Sequence, residues 1–314
     1  MRIILTERRQ RLLKKKVLSV GMAVLRLLLF VALTFVVLYP LFTRLAASFM
    51  EPQDVHDLSV RYIPRNPTLD NYTSVWKQLD LTKVFPVTLL FSGAVSALQM
   101  LSATIVGYGL ARFKIRLRGV FFVLALLSLM IPPDLLLIPL FGEFRYVDVF
   151  GLVSLINGGQ PLSLINTPWP FIILAVTCSG YRCGLYILIL CQFFRGVPKE
   201  LEEAAYIDGA GAGRAFFQVL LPGARTMMIT VFLFGFVWTW LDTKFISTLM
   251  PDYPLLVTEV GKIAALSLNA AANTVMRDLL VNAGVVYLIV PLIVLYIFTQ
   301  RYFVQSIERS GLVG

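Results

Sequence analysis

The chain has 314 residues, of which 58% are hydrophobic and only 15% charged, and its mean hydropathy is +0.78. Soluble domains carry about a quarter charged residues, so this composition indicates a polytopic membrane protein and not a soluble domain. The formal net charge of +10 would also suit a nucleic-acid-binding protein. The Lys and Arg residues lie between long apolar runs, however, and that distribution is typical of membrane proteins.

Six stretches are long and apolar enough to cross a bilayer as a helix, which takes about 20 residues. These candidate spans cover residues 23–43, 84–110, 119–141, 170–193, 224–249 and 279–299. The sequence therefore predicts an all-α polytopic membrane protein with six transmembrane helices. The first apolar run is too long for the h-region of a signal peptide, so an uncleaved first span is favoured over a cleaved leader.

The predicted organisation follows from these spans. It consists of a basic cytoplasmic N-terminus (1–22), a first transmembrane helix (23–43), an extracytoplasmic loop (44–83), a five-helix core (84–299) with a polar loop at 194–223, and a cytoplasmic tail (300–314).

The charges of the loops predict the orientation. The N-terminus carries seven basic residues against the single acid Glu7, and the 111–118 loop carries four basic residues and no acid. The 44–83 loop instead balances its basic residues with five acids. Because cytoplasmic loops are enriched in Lys and Arg, we expect both termini and the loops 111–118 and 194–223 to face the cytoplasm.

The polar loop contains residues 198–213, PKELEEAAYIDGAGAG, whose glycines first suggest a phosphate-binding loop. A Walker loop needs a lysine and then a hydroxyl residue directly after its last glycine. Here the glycines are followed by Arg214 and Ala215, and no strand precedes them. The segment is therefore not a nucleotide site.

The same residues predict two short helices around a glycine hinge. Pro198 suits a first helical position, where its missing N–H costs nothing. Gly209 can adopt a positive φ and end the first helix. A second helix is expected from about Ala212, closed by Pro222 before the fifth span.

The first of these helices has a narrow stripe of small apolar residues formed by Leu201, Ala204 and Ala205. Helices that lie on lipid usually carry basic residues on the polar face and bulky apolar residues below. This helix instead carries acidic residues and alanines, which favours docking against a protein partner, with the acids setting the register.

The sequence offers no candidate catalytic, cofactor-binding or metal-binding site. His56 is the one histidine and lies in a polar loop. The three cysteines, Cys178, Cys183 and Cys191, fall inside one apolar run and lack the spacing of metal ligands. Buried cysteines of this kind behave as small hydrophobic residues.

The polar loop also carries a gapped motif: Glu203-Ala204-Ala205, then Gly209, and later Leu221-Pro222. This pattern resembles the EAA motif of ABC importer membrane subunits, with Val219 where isoleucine is commoner. The stretches TLDNYTSVW, YGLARFKIRLRG, IPPDLLLIPLF, QFFRGVPKELEEAAYIDGAG and the tail QRYFVQSIERSGLVG resemble the maltose-type carbohydrate permeases. Within that family, the chain is most similar to the shorter, MalG-type subunit with six spans.

The resemblance implies the type I ABC importer permease fold in a bacterial cytoplasmic membrane. It also implies a second, longer MalF-like permease subunit, two ABC ATPase subunits, an extracytoplasmic solute-binding protein and a sugar substrate. The EAA loop would form a coupling helix that docks on the ATPase. The residues to which the resemblance gives this role are Glu203, Ala204, Ala205, Asp208, Gly209, Leu221 and Pro222.

Charged groups at membrane depth are costly and usually face a cavity or a partner. The candidates for a solute path are Asp134, Arg182, Trp238, Trp240, Asp242 and Lys244. Two other interpretations remain open for the charged residues, namely pairing with the partner subunit and a position nearer the membrane interface. The tryptophans would suit a sugar platform, and interfacial anchoring explains them equally well.

Two alternatives to sugar import remain. A permease for a peptide, a polyamine or phosphate would share the coupling loop. An ion-coupled secondary transporter would need no EAA loop and typically shows internal repeats.

Overall fold

The computed structural model describes residues 2–57, 59–265 and 271–311, with side chains from 15–57, 59–265 and 274–302. Within these ranges the chain forms helices and loops, with one isolated antiparallel bridge between Val147 and Leu162. The first eight helices are α1 (Arg2–Ser48), α2 (Pro52–His56), α3 (Asp70–Gln78), α4 (Leu81–Arg112), α5 (Arg118–Leu127), α6 (Pro133–Arg145), α7 (Leu152–Ile156) and α8 (Trp169–Val176). They are followed by α9 (Cys183–Gly196), α10 (Lys199–Ile207), α11 (Ala212–Ala215), a π-helical turn (Phe216–Leu220), α12 (Leu221–Gly223), α13 (Arg225–Trp240), α14 (Lys244–Leu249), α15 (Leu256–Ala265) and α16 (Ala271–Gly311).

The chain divides into two compact units. The first comprises residues 1–74 and 267–286. In it, the Asn71 amide donates 3.0 and 2.9 Å hydrogen bonds to the carbonyl oxygens of Ser48 and Met50, where α1 ends. Arg44 Nη1 donates to Asn282 Oδ1 over 2.7 Å, which joins α1 to α16. The Asn71 side chain thus satisfies carbonyl groups that the end of α1 leaves without helical partners.

The second unit comprises residues 75–266 and 287–314, and α4 is its central element. Helices α8, α9, α13 and α15 all pack on α4. The core between α4, α9 and α13 is apolar and includes Ala103, Leu190 and Val231, each with no exposed surface. Cys183 and Cys191 lie in this core, as the apolar run around them predicts.

Small residues set the distance between these helices. A Cβ added to Gly107 of α4 would lie 3.0 Å from Leu190 Cβ in α9. At Gly184 of α9, an added Cβ would collide with the backbone oxygen of Ala125 and lie 2.8 Å from Ser128 Oγ. Close backbone approach at glycine is typical of helices packed in membranes, where van der Waals contact rather than the hydrophobic effect joins them.

Three described helices are long and apolar enough to span a membrane. They lie within 15–48, 81–112 and 274–302, and they contain the predicted spans 23–43, 84–110 and 279–299. The helix pair 212–223 and 225–240 also qualifies when it is counted as one bent span. The match between these helices and the predicted spans reflects the fact that a long apolar run admits few structures other than a helix in lipid.

Each of the other three predicted spans is interrupted in the structure and consists of two helices. The span 119–141 is interrupted after Leu127, and the helix resumes at Pro133, which has no N–H to continue the hydrogen-bond ladder. The span 170–193 breaks between α8 and α9, where Cys178 has a positive φ of 53°. The span 224–249 breaks between α13 and α14.

We expect Gly184→Ala to lower the thermal unfolding midpoint of the purified protein in detergent. The new methyl group would force α9 away from the backbone of α5, and overpacking of this kind costs about 1–3 kcal/mol. Gly93→Ala is the matched control, because an added Cβ at Gly93 of α4 meets nothing within 4 Å. Equal midpoints for the two variants would contradict the close packing at Gly184.

Candidate coupling segment and intramembrane polar residues

The segment that follows α9 forms the predicted helix and hinge. Helix α10 begins directly after Pro198 and ends before Asp208. Gly209 has φ +80°, and its N–H bonds to the carbonyl of Tyr206 over 3.0 Å. The left-handed φ predicted for this glycine is therefore confirmed, and it turns the chain away from the helix axis.

The chain after the hinge differs from the predicted single helix. Helix α11 starts at Ala212, as expected, and then widens into the π-helical turn before α12. Pro222 is the last residue but one of this helical run, which ends at Gly223, so the predicted end of the second helix before the fifth span is confirmed. The segment 212–223 meets 225–240 at an angle of 73°, and Ala224 lies between them.

Most of the EAA residues lie on an open face. Glu203, Ala204, Asp208 and Gly209 are exposed, and the neighbouring Ile207 is 86% exposed. Beside this face is a cleft of about 400 Å³ between α10 and the segment that starts with α11. It is lined by Leu201, Ala204, Ala205, Asp208, Ala210, Arg214, Gln218 and Val219.

The remaining motif residues differ in burial. Ala205 is buried, with 9% exposed, so it packs the helix onto its own chain while Ala204 faces outward. Leu221 is half-buried and Pro222 is exposed. The predicted docking residues thus share one segment but do not all share one surface.

The inner face of α10 carries a cluster that the sequence reasoning missed. Glu202 Oε2 lies 3.7 Å from Arg112 Nε, and Arg112 Nη2 donates to the Val197 carbonyl over 2.6 Å. Glu202 Oε1 accepts hydrogen bonds from the hydroxyls of Tyr206, at 2.9 Å, and Tyr108, at 3.4 Å. The hydrogen bond to the Glu202 carboxylate raises the pKa of Tyr206.

A signal for this cluster was present in the sequence. Tyr108 and Arg112 are four residues apart on one helix, and so are Glu202 and Tyr206 on another, so each pair shares a helix face. Arg112 was counted only as a loop charge that sets orientation. The spacing alone does not say that the two faces meet.

Arg182 lies between two aromatic rings at the break between α8 and α9. Its guanidinium carbon is 4.4 Å from the Tyr181 ring centroid and 4.6 Å from that of Trp238. Cation–π contacts of this kind are worth about 2 kcal/mol when they are shielded from water. The Trp238 ring is therefore already in contact with a side chain of the protein itself, that of Arg182.

Arg182, Trp238 and Asp242 line a small cavity of about 40 Å³. Gln99 of α4 also lines it, and its buried Oε1 has no hydrogen-bond partner among the described residues. Asp242 Oδ1 accepts the N–H of Phe245 over 3.1 Å and so caps the start of α14. Three of the predicted path residues therefore meet at one small cavity.

Asp134 and Lys244 form an ion pair of 2.6 Å between the first turns of α6 and α14, which both begin after a break. Their side chains are 61% and 62% exposed in the isolated chain. The ion pair links α6 to α14, which belong to two different broken spans. It lies on the surface of the isolated chain.

Trp240 is not part of the cavity. It has no exposed surface, its ring stacks on Phe236 at 5.5 Å, and its indole N–H donates to the Leu288 carbonyl over 3.0 Å. A buried indole with a bonded N–H is a core residue that joins α13 to α16. We therefore do not retain Trp240 among the candidates for the solute path.

Comparison with known proteins identifies the family. Residues 103–309 match the model of the binding-protein-dependent transport system inner membrane component family. The chain belongs to this family. Its members are membrane components of importers that work with a solute-binding protein, so the chain is a multi-pass transport subunit of an ABC importer.

Curated relatives match over most of the chain. The probable ABC transporter permease protein YurM of Bacillus subtilis is 28% identical over 276 residues, which cover 88% of this chain and 84% of YurM. The arabinooligosaccharides transport system permease protein AraQ of Halalkalibacterium halodurans is 27% identical, over 91% of this chain and 94% of AraQ.

A solved structure confirms the fold. A chain from a bacterial ABC transporter involved in the import of the acidic polysaccharide alginate superposes with a TM-score of 0.67 at 19% identity. The match covers 90% of this chain and 96% of that one. The chain thus has the ABC importer permease fold, as the EAA resemblance implies.

Proposed function

We propose that this protein is the MalG-type permease subunit of an ATP-driven importer that moves a sugar or oligosaccharide into the cytoplasm. The proposal rests on one observation: α10 exposes residues of the EAA motif, in a chain that has the ABC importer permease fold. AraQ is named for arabinooligosaccharides, and the structural relative takes part in alginate import, which supports a carbohydrate. The partners would be a longer MalF-like permease, two ATPase subunits and an extracytoplasmic binding protein.

The exposed side of α10 would dock on an ATPase subunit. Glu203, Ala204 and Asp208 are free to contact a partner, and the glycine turn at Gly209 sets the angle at which the helix is presented. The basic N-terminus and the 111–118 loop support a cytoplasmic position for this face. ATP binding would close the two ATPases and draw the coupling helices together, which turns the cavity outward, and hydrolysis would reverse the change.

The polar residues at the helix breaks would line the solute path. Irregular backbone at membrane depth is tolerated where protein buries it or where it lines a cavity, and broken helices are a frequent feature of transporter binding sites. Arg182, Trp238 and Asp242 share one cavity beside two such breaks, and Asp134 and Lys244 pair at the start of α6 and α14. At about 40 Å³ the cavity is too small for a sugar ring, so the path would be closed in this conformation.

The carbohydrate assignment predicts that the reconstituted complex hydrolyses ATP faster when its binding protein is loaded with a sugar. The measurement is ATPase rate in proteoliposomes with the cognate binding protein and a panel of mono- and oligosaccharides. Peptides, polyamines and phosphate serve as comparison solutes. A response to one of these and to no sugar would contradict the assignment, while no ATPase in the purified complex would favour secondary transport.

Gly209→Val should uncouple ATP hydrolysis from uptake. A β-branched residue in the left-handed region costs about 1–2 kcal/mol, so the turn after α10 would change its angle. An added Cβ at Gly209 meets nothing within 4 Å, so the effect would come from the backbone alone. The measurement is solute taken up per ATP hydrolysed.

Gly211→Ala is the control for this variant. Gly211 has φ −76°, and its added Cβ also meets nothing within 4 Å. We expect wild-type coupling from it. A wild-type ratio in Gly209→Val would count against the coupling role of the turn.

Arg182→Gln should slow transport about tenfold, which equals ~1.4 kcal/mol, if the guanidinium contacts the solute. Arg195→Gln is the matched control, because Arg195 lies near the other end of α9 and also covers an aromatic ring, that of Phe122 at 4.6 Å. Uptake of radiolabelled solute at equal amounts of assembled complex is the measurement. Equal uptake by the two variants would remove Arg182 from the path.

A further inference from the structure

A buried pair of opposite charges joins the coupling helix to the membrane helices. The side chains of Arg112 and Glu202 are only 7% and 13% exposed. Arg112 is the last residue of α4, Glu202 lies in the first turns of α10, and Val197, whose carbonyl accepts a hydrogen bond from Arg112, directly follows the end of α9. One guanidinium thus holds the ends of three helices together.

Burial makes this link stiff. Taking two charges out of water is costly, and removing either partner leaves the other unpaired in a poor solvent for charge. Sliding α10 away from α4 would have the same effect as removing a partner. A displacement of α10 is therefore less costly when α4 and α9 move with it than when the pair separates.

A second contact joins the segment that follows Gly209 to the same end of α4. The ring of Tyr108 lies one turn before Arg112, and its centroid is 4.4 Å from that of Phe216 in the π-helical turn. It is also 5.5 Å from the ring of Phe194 in α9. The segments before and after Gly209 are thus both anchored to the last two turns of α4.

The two adjacent glutamates of α10 lie on different faces of the helix. Glu203 is exposed on the side of Ala204 and Asp208, whereas Glu202 accepts hydrogen bonds from Tyr206 and Tyr108 and faces Arg112. Glu200, on the same helix, is exposed. The inward glutamate is therefore distinguished from its neighbours by its contacts and not by its residue type.

We infer that Glu202 and Arg112 are positioning residues that carry the displacement of the docked coupling helix to α4 and α9. The inference rests on the proposed function, since it assigns the transmission step of that same coupling segment. The outward face receives the force, and the inward pair passes it to the helices that close the cavity. Glu202 itself contacts neither the ATPase nor the solute.

The test uses the whole complex in proteoliposomes with its solute-loaded binding protein, and measures solute taken up per ATP hydrolysed. Glu202→Gln and Arg112→Gln should each lower this ratio about fivefold or more, the lower end of typical coupling strengths, while the ATPase continues. The double variant should be no worse than either single one, because both residues serve one link. Glu259→Gln is the matched control and should keep the wild-type ratio, because Glu259 is a 17% exposed glutamate that pairs with Lys262 over 2.7 Å on α15, outside the coupling segment.

A structural role alone would lower the thermal stability of the complex without changing the ratio, so an unchanged ratio in Glu202→Gln overturns the inference. Losses that multiply in the double variant would overturn it as well. If the neutral variants fail to assemble, Glu202→Asp is used instead, because it keeps the charge but shortens the side chain. A wild-type ratio in Glu202→Asp would also overturn the inference. A wild-type complex that responds to no sugar contradicts the proposed function instead, so the two failures are distinguishable.

Discussion

Lipid offers no hydrogen-bond partners, so every backbone N–H and C=O at membrane depth must be satisfied by the protein itself. Helix α4 meets this requirement alone, because it runs unbroken from Leu81 to Arg112. The broken spans cannot do so and depend on it. Ser102 of α4, for example, donates a 2.6 Å hydrogen bond to the carbonyl of Ala175, next to the break between α8 and α9. A side chain of the continuous helix thus adds a hydrogen bond to the backbone at this break, and the interruptions place polar groups beside the cavity.

The same dependence on α4 explains how the coupling segment can be exposed and yet firmly held. A short helix of nine residues is marginal in water by itself. Its inward face is fixed by a buried ion pair and by a small buried alanine, which leaves the opposite face open for a partner. The inward and outward faces thus have separate roles on one short helix, and Glu202 and Glu203 differ in function because a helix turns by about 100° between them.

The arginine at the break of the fourth span shows how a charge can be accommodated without a close ion pair. Among the residues whose side chains are described, no carboxylate oxygen lies within 4.0 Å of its nitrogens, and two aromatic faces cover it instead. The ring of Tyr181 in turn stacks on Phe245 at 4.6 Å. This arrangement links the breaks of the fourth and fifth spans. A change in the angle between those spans would therefore alter the surroundings of the guanidinium.

The sequence by itself determined the helical membrane class, three of the spans, the start of α10 and the left-handed Gly209, because each depends on local composition or on one residue's backbone freedom. It also contained the EAA motif, which named the family before any geometry was known. It did not reveal the breaks in the other three spans, since hydropathy averaged over a window does not register where a hydrogen-bond ladder stops. Only the tertiary structure shows that Glu202 lies against Arg112, which is 90 positions away in the chain. Only the tertiary structure shows that Trp240 is buried in the core whereas Trp238 lines the cavity. Which faces of two helices meet is decided by packing over the whole unit, and spacing within one helix cannot specify it.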